Sequence, residues 1–84
     1  MSELERMNRH RIRVKVRADF HFDGTIIPIK LRTEDSPPFT IDQILDIRPA
    51  SAIKAGGMGV RYTCRIGDKT FYLFNDRSMW FVER

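Results

Sequence analysis

Thirteen consecutive residues, Arg11 to Asp23, alternate strictly between apolar and polar side chains. Ile12, Val14, Val16, Ala18, Phe20 and Phe22 fall on one side, and Arg11, Arg13, Lys15, Arg17, Asp19, His21 and Asp23 on the other. Only an extended chain turns successive Cβ atoms to opposite faces, so a period of two over this length predicts a β-strand. One face is dry, and the other opens with four cations.

The strand ends at Asp23-Gly24, a dipeptide favoured in type I′ hairpins because both central positions need positive φ. A two-residue turn there predicts an antiparallel return strand, Thr25 to Arg32, with Phe20 facing Ile27, Ala18 facing Ile29 and Val16 facing Leu31 as core pairs. The same register sets Arg17 opposite Lys30 and Lys15 opposite Arg32 on the outer face. Like charges in direct register are destabilising, so this surface concentrates cations at some cost to the fold. Pro28 falls on the outward side and cannot donate to a ladder, which predicts an edge strand or a bulge.

Thr33 to Pro38 reads as a loop broken by Ser36-Pro37-Pro38. Phe39 to Arg48 fits either a helical turn or strand. A short strand, a tight turn at Asp42-Gln43 and a further strand from about Ile44 is the favoured reading. Ala50 to Gly59, with Lys54, Gly56 and Gly57, is expected to be a connection whose glycines lack P-loop spacing. The last quarter is a meander, Val60 to Ile66, Lys69 to Phe74 and Met79 to Val82, with turns at Gly67-Asp68 and Asn75 to Ser78. It predicts core contacts of Cys64 with Phe71, Tyr62 with Leu73, Leu73 with Trp80 and Phe71 with Val82.

A chain of 84 residues is one small all-β domain, residues 11–84, preceded by a flexible basic arm, residues 1–10. The single cysteine, Cys64, excludes an intrachain disulfide and points to a reducing cytoplasm. No apolar run approaches the roughly 20 residues of a membrane span, and the N-terminus lacks the apolar stretch of a signal peptide. The net charge of +4 conceals an asymmetry: residues 6–17 hold six cations and no acid, while the rest of the chain sums to −2. A basic block on a near-neutral body suits an anionic partner or a solvated face.

Catalytic chemistry finds no support. His21 and Asp23 lead into a turn with no nucleophile placed beside them, and Cys64 alternates onto the core face. One cysteine and two histidines fall short of a zinc site, and Asp42 and Asp46 lack a calcium loop, so no metal or cofactor is expected. The outer face of the meander carries Arg61, Thr63 and Arg65 beside Thr70, Tyr72 and Phe74, followed by Met79 and Phe81. Aromatics interleaved with arginine hold single-stranded nucleic acid on several small β domains. The alternatives are that this face is covered by another part of the chain, or that it receives a protein partner or a second copy of the chain.

Asp23-Gly24-Thr25-Ile26 with Pro28, Ile41-Asp42 with Ile44, Asp46 and Arg48, Gly59 with Arg61-Tyr62, Leu73-Phe74 and Trp80-Phe81-Val82 form a pattern that resembles short bacterial proteins, Firmicutes-like in character. These look like small SH3-like β-barrels, and the resemblance spans roughly residues 11–83. It implies a barrel of five or six antiparallel strands and no particular activity or ligand. The expectation from the residues themselves is a non-enzymatic binding module. Arg11, Arg13, Lys15, Arg17, Lys30 and Arg32 are its candidate phosphate contacts, with Arg61 and Arg65 added from the meander. Tyr72, Phe74, Met79 and Phe81 are the candidate stacking or partner face.

Overall fold

The computed structural model describes residues 11–51 and 58–83. Their regular structure is entirely strand: β1 (Arg11–Arg13), β2 (Lys15–Phe20), β3 (Ile26–Arg32), β4 (Phe39–Thr40), β5 (Gln43–Ser51), β6 (Met58–Ile66), β7 (Lys69–Asp76) and β8 (Met79–Glu83). They form two antiparallel sheets, a five-stranded one in the order β1-β8-β7-β6-β5 and a three-stranded one in the order β2-β3-β4. The N-terminal arm, Lys54, Gly56 and Gly57 lie outside the described residues. β5 and β6 extend as far as Ser51 and from Met58, so less of the connection expected over residues 50–59 is loop.

The alternating segment that opens the chain is shared by both sheets. β1 pairs with β8 and β2 pairs with β3. Between them Val14 turns the corner, buried at 9% exposure, with its N–H donating to the Trp80 carbonyl at 3.1 Å. A second crossing lies between β4 and β5. There the Ile41 N–H donates to the Ile29 carbonyl and the Asp42 N–H to the Arg65 carbonyl, each at 2.8 Å. Both corners keep their backbone donors bonded, which a buried turn of this kind requires. As continuous stretches of chain, β1–β2 and β4–β5 reduce the eight segments to six, but the two sheets do not close into one barrel.

The core lies between the sheets. Val14, Leu31, Ile41, Tyr62, Cys64 and Leu73 are its buried members, with Ile12, Val16, Ile44, Phe71, Trp80 and Val82 packed against them. The Tyr62 and Trp80 rings stack at 5.8 Å. Cys64 opposite Phe71 and Tyr62 opposite Leu73 follow the predicted register. Between β7 and β8 the pairing is shifted by two residues, so Leu73 faces Val82 and Trp80 faces Asn75. The cause is a tighter turn than expected, Arg77-Ser78 alone, with Arg77 at φ 61°. A shift of two preserves every face.

The first hairpin departs from expectation in its turn. The His21 N–H donates to the Thr25 carbonyl at 2.9 Å and the Gly24 N–H to the His21 carbonyl at 3.0 Å, leaving a three-residue loop with Gly24 at φ 90°. Three-residue hairpins place glycine in this left-handed position. The extra loop residue moves the pairing by one, so that Phe20 faces Ile26 and Ala18 faces Pro28. An irregularity opposite Arg17 and Ala18, with Ile29 as the extra residue, then restores Val16–Leu31, Arg17–Lys30 and Lys15–Arg32. Pro28 is consequently fully buried rather than outward. It sits beside the bulge, where a missing donor does least harm.

Phe20 and Phe22 are the other correction. They are 76% and 113% exposed, because the hairpin runs on past the end of the core. The Tyr62 hydroxyl, donating to the Ile26 carbonyl at 2.6 Å, marks where the anchored part stops. Replacing Tyr62 by phenylalanine leaves that part-buried carbonyl without its donor and is expected to cost about 1 to 3 kcal/mol. Urea denaturation reads this directly, and an unchanged midpoint would show that the tie is not holding the hairpin.

Candidate functional site

The corner at Val14 gathers the cations. Alternation continues through it, so Arg13 on β1 and Lys15 and Arg17 on β2 face outward, and the restored register sets Lys15 opposite Arg32 and Arg17 opposite Lys30. All five side chains are exposed. Lys15, Arg17, Lys30 and Arg32 border a shallow depression of about 320 Å³ together with Pro38. A second, of about 410 Å³, lies between Arg13, Lys15, Arg32, Thr33 and Glu34. Lys15 and Arg32 border both, so the two form one cationic groove along the ribbon.

None of these five cations has an ion-pair partner among the described residues; the one ion pair there joins Arg48 to Asp46 at 2.7 Å. Glu34 lines the second depression without pairing. The groove therefore holds like charges in direct register with no acidic partner among the described residues, an arrangement that attracts anions and opposes folding by roughly 0.2 to 1 kcal/mol per pair. Arg11 lies opposite Glu83 in the ladder.

Arg61 and Arg65 stand apart from this groove, on β6. Arg65 is tied into the fold: its guanidinium donates to the Gly67 carbonyl at 2.8 Å and to Gln43 Oε1 at 3.2 Å, while Asp42 Oδ2 accepts the Gly67 N–H at 2.6 Å. Arg61 lies over the Tyr72 ring at 4.7 Å, a cation–π contact. Phe74 and Phe81 stack on each other at 5.3 Å, and Tyr72 meets Phe74 edge-on at 6.5 Å. Phe81 is 8% exposed, whereas Tyr72 and Met79 are 41% and 45% exposed. The rings expected to stack on a ligand thus mostly cover one another.

His21 and Asp23 are turn residues. Asp23 accepts the Thr25 N–H at 2.9 Å, and hydrogen bonding to Thr25 holds its carboxyl below the usual 3.8. No group of three or more metal-ligating side chains occurs among the described residues. No family model, curated protein or solved structure matches the chain.

Cys64 is completely buried, and burial pushes its thiol from 9.0 to about 12. Below pH 9 the thiol keeps its proton in both folded and unfolded chains and contributes no pH dependence. Above 9 the unfolded chain loses that proton while the folded chain retains it until about 12, so stability falls as pH rises, by up to about 1.4 kcal/mol per unit. Urea titrations between pH 9 and 11 are expected to show a steeper decline for the wild type than for Cys64→Ala. Parallel curves would place the thiol within reach of solvent.

Proposed function

We propose that the β2–β3 ribbon is a contact surface for the phosphate backbone of a nucleic acid, and that the chain is a binding module without catalytic activity of its own. The observation that carries this reading is the registered pairing of Lys15 with Arg32 and Arg17 with Lys30, exposed and without acidic partners among the described residues. A regular lattice of cations along an extended ribbon matches a regularly spaced polyanion, and such contacts give sequence-independent affinities of roughly 10⁻⁴ to 10⁻⁶ M at physiological salt. The six continuous stretches and two corners suit an SH3-like module of the kind the sequence resembles. A buried free thiol suits a reducing cytoplasm.

Arg17→Ala and Lys30→Ala together are expected to weaken binding of a labelled oligonucleotide and to lower the slope of log affinity against log salt by about 0.7 to 0.9 per lost contact. The same double variant is expected to be more stable than the wild type by a few tenths of a kcal/mol, because it removes a like-charge pair. Weaker binding with higher stability separates a binding surface from a structural one. Unchanged affinity and slope would refute the reading.

A second reading, a protein partner or second copy on the meander's outer face, is favoured by the exposure of Tyr72 and Met79. It requires a concentration-dependent apparent mass that Met79→Asp abolishes, and sedimentation that is monomeric at all concentrations would dismiss self-association.

A further inference from the structure

We infer that the exposed phenylalanines at the tip of the ribbon, Phe20 and Phe22, stack on unpaired bases, so that the ligand is a single-stranded rather than a duplex nucleic acid. This rests on the ribbon reading above and adds the part of the ligand that phosphate contacts leave unread. The two rings are the most exposed large apolar side chains among the described residues, at 76% and 113%, where the others are below half. Alternation would spend Phe20 on the core face, yet it stands opposite Ile26, level with the Tyr62–Ile26 hydrogen bond that ends the anchored part, and none of the described residues covers its ring.

Their position relative to the cations is what selects the ligand. Phe20 lies three residues beyond Arg17, about 10 Å along an extended strand. That spacing puts the rings on the opposite face of the ribbon from the groove, and because β2 is the edge of its sheet, a polyanion lying in the groove reaches them only by bending round that edge. In a duplex the base faces are hidden in the stack, whereas a single strand can turn its bases onto aromatic side chains. The acids at the tip sharpen the choice. Asp19, exposed beside Phe20, and Asp23, exposed beside Phe22, repel phosphates at the end where the rings are, leaving that end to bases and the groove to the backbone. They also disfavour an anionic lipid surface, since inserting the rings would carry Asp19, His21 and Asp23 into the headgroup layer.

The competing surface, Tyr72 with Phe74 and Phe81, offers less. Two of its rings stack on each other and the third lies under Arg61.

The test uses the full chain, a labelled oligothymidine of roughly 12 nucleotides, within the site sizes of small single-strand binders, and the same strand annealed to its complement. The double variant Phe20→Ala, Phe22→Ala alters only exposed positions, so its thermal midpoint is expected to match the wild type. Single-strand affinity is expected to fall by roughly tenfold per ring engaged, with duplex affinity and salt slope unchanged. Equal losses on single strand and duplex, or no loss on either, would overturn the inference while leaving the ribbon reading intact. Retained oligonucleotide affinity with loss of sedimentation on phosphatidylserine vesicles would overturn it in favour of a lipid surface. A wild type that binds neither nucleic acid at low salt removes both readings at once.

Discussion

One strand serving two sheets is the constraint on which the other features depend. Val14 is buried while its N–H is held by the Trp80 carbonyl, so the chain changes sheets without losing its alternation. Inward residues on both sides of the corner then belong to one core, and outward residues on both sides belong to one surface. That is why Arg13, from a strand paired with β8, and Lys15 and Arg32, from a separate ladder, border the same depression. The opposite corner at Ile41 and Asp42 fixes the other end of the smaller sheet, and Ile41 adds its side chain to the core.

The parts of this arrangement that were legible in the sequence are those governed by local alternation. The basic face of the first strand, the inward placement of Cys64, Tyr62 and Leu73, and the turn at Gly67 all follow from period two and turn chemistry. Asp23-Gly24 suits a two-residue and a three-residue loop alike, and the choice is made elsewhere, where Pro28 and the bulge at Ile29 absorb the difference. One residue of shift exchanges the faces of a strand, which is why Pro28, outward in the register of a two-residue loop, stands inside. The tight turn at Arg77 shifts the β7–β8 pairing by two residues, which exchanges partners and leaves the faces as alternation predicts. For Phe20 and Phe22 alternation predicts a side but not whether another layer lies opposite that side. The cations of the site are readable one by one; the absence of partners for them among the described residues, and the capture of Arg65 by Gln43 and Gly67, are properties of the folded contacts.

The basic side chains of this small domain have two fates. Arg48 pairs with Asp46, Arg65 is tied to a carbonyl and an amide, and Arg61 rests on an aromatic ring. Each of these side chains has an internal partner. The ribbon cations have none among the described residues, and neither do the isolated Lys69 and Arg77, although eleven acidic residues are present in the chain; what sets the ribbon apart is that its unpartnered cations face each other in register. A domain of this size has a net stability of only a few kcal/mol, so two unrelieved like-charge pairs weigh measurably against it. Solvent and salt can mask such repulsion, but masking costs nothing more than scattered charges would, and it does not account for register.

Register is the more demanding property. The bulge at Ile29 restores the alignment that sets Arg17 against Lys30 and Lys15 against Arg32, after the loop has displaced it by one residue. The restored alignment also returns Leu31 to the core opposite Val16. Packing alone therefore explains why the register is recovered, and it would do so with neutral residues on the outer face. What packing does not require is that all four outward positions be cationic. The anchored length of the hairpin thus has its geometry set by the core and its charge free to vary, whereas from the Phe20–Ile26 pair to the tip the core no longer covers the ribbon and the exposed apolar side chains are Phe20 and Phe22. The Tyr62–Ile26 hydrogen bond divides the two regimes. On the anchored side a fixed spacing suits phosphates, and on the free side rings unconstrained by packing suit bases, whose position along a flexible single strand is itself unfixed.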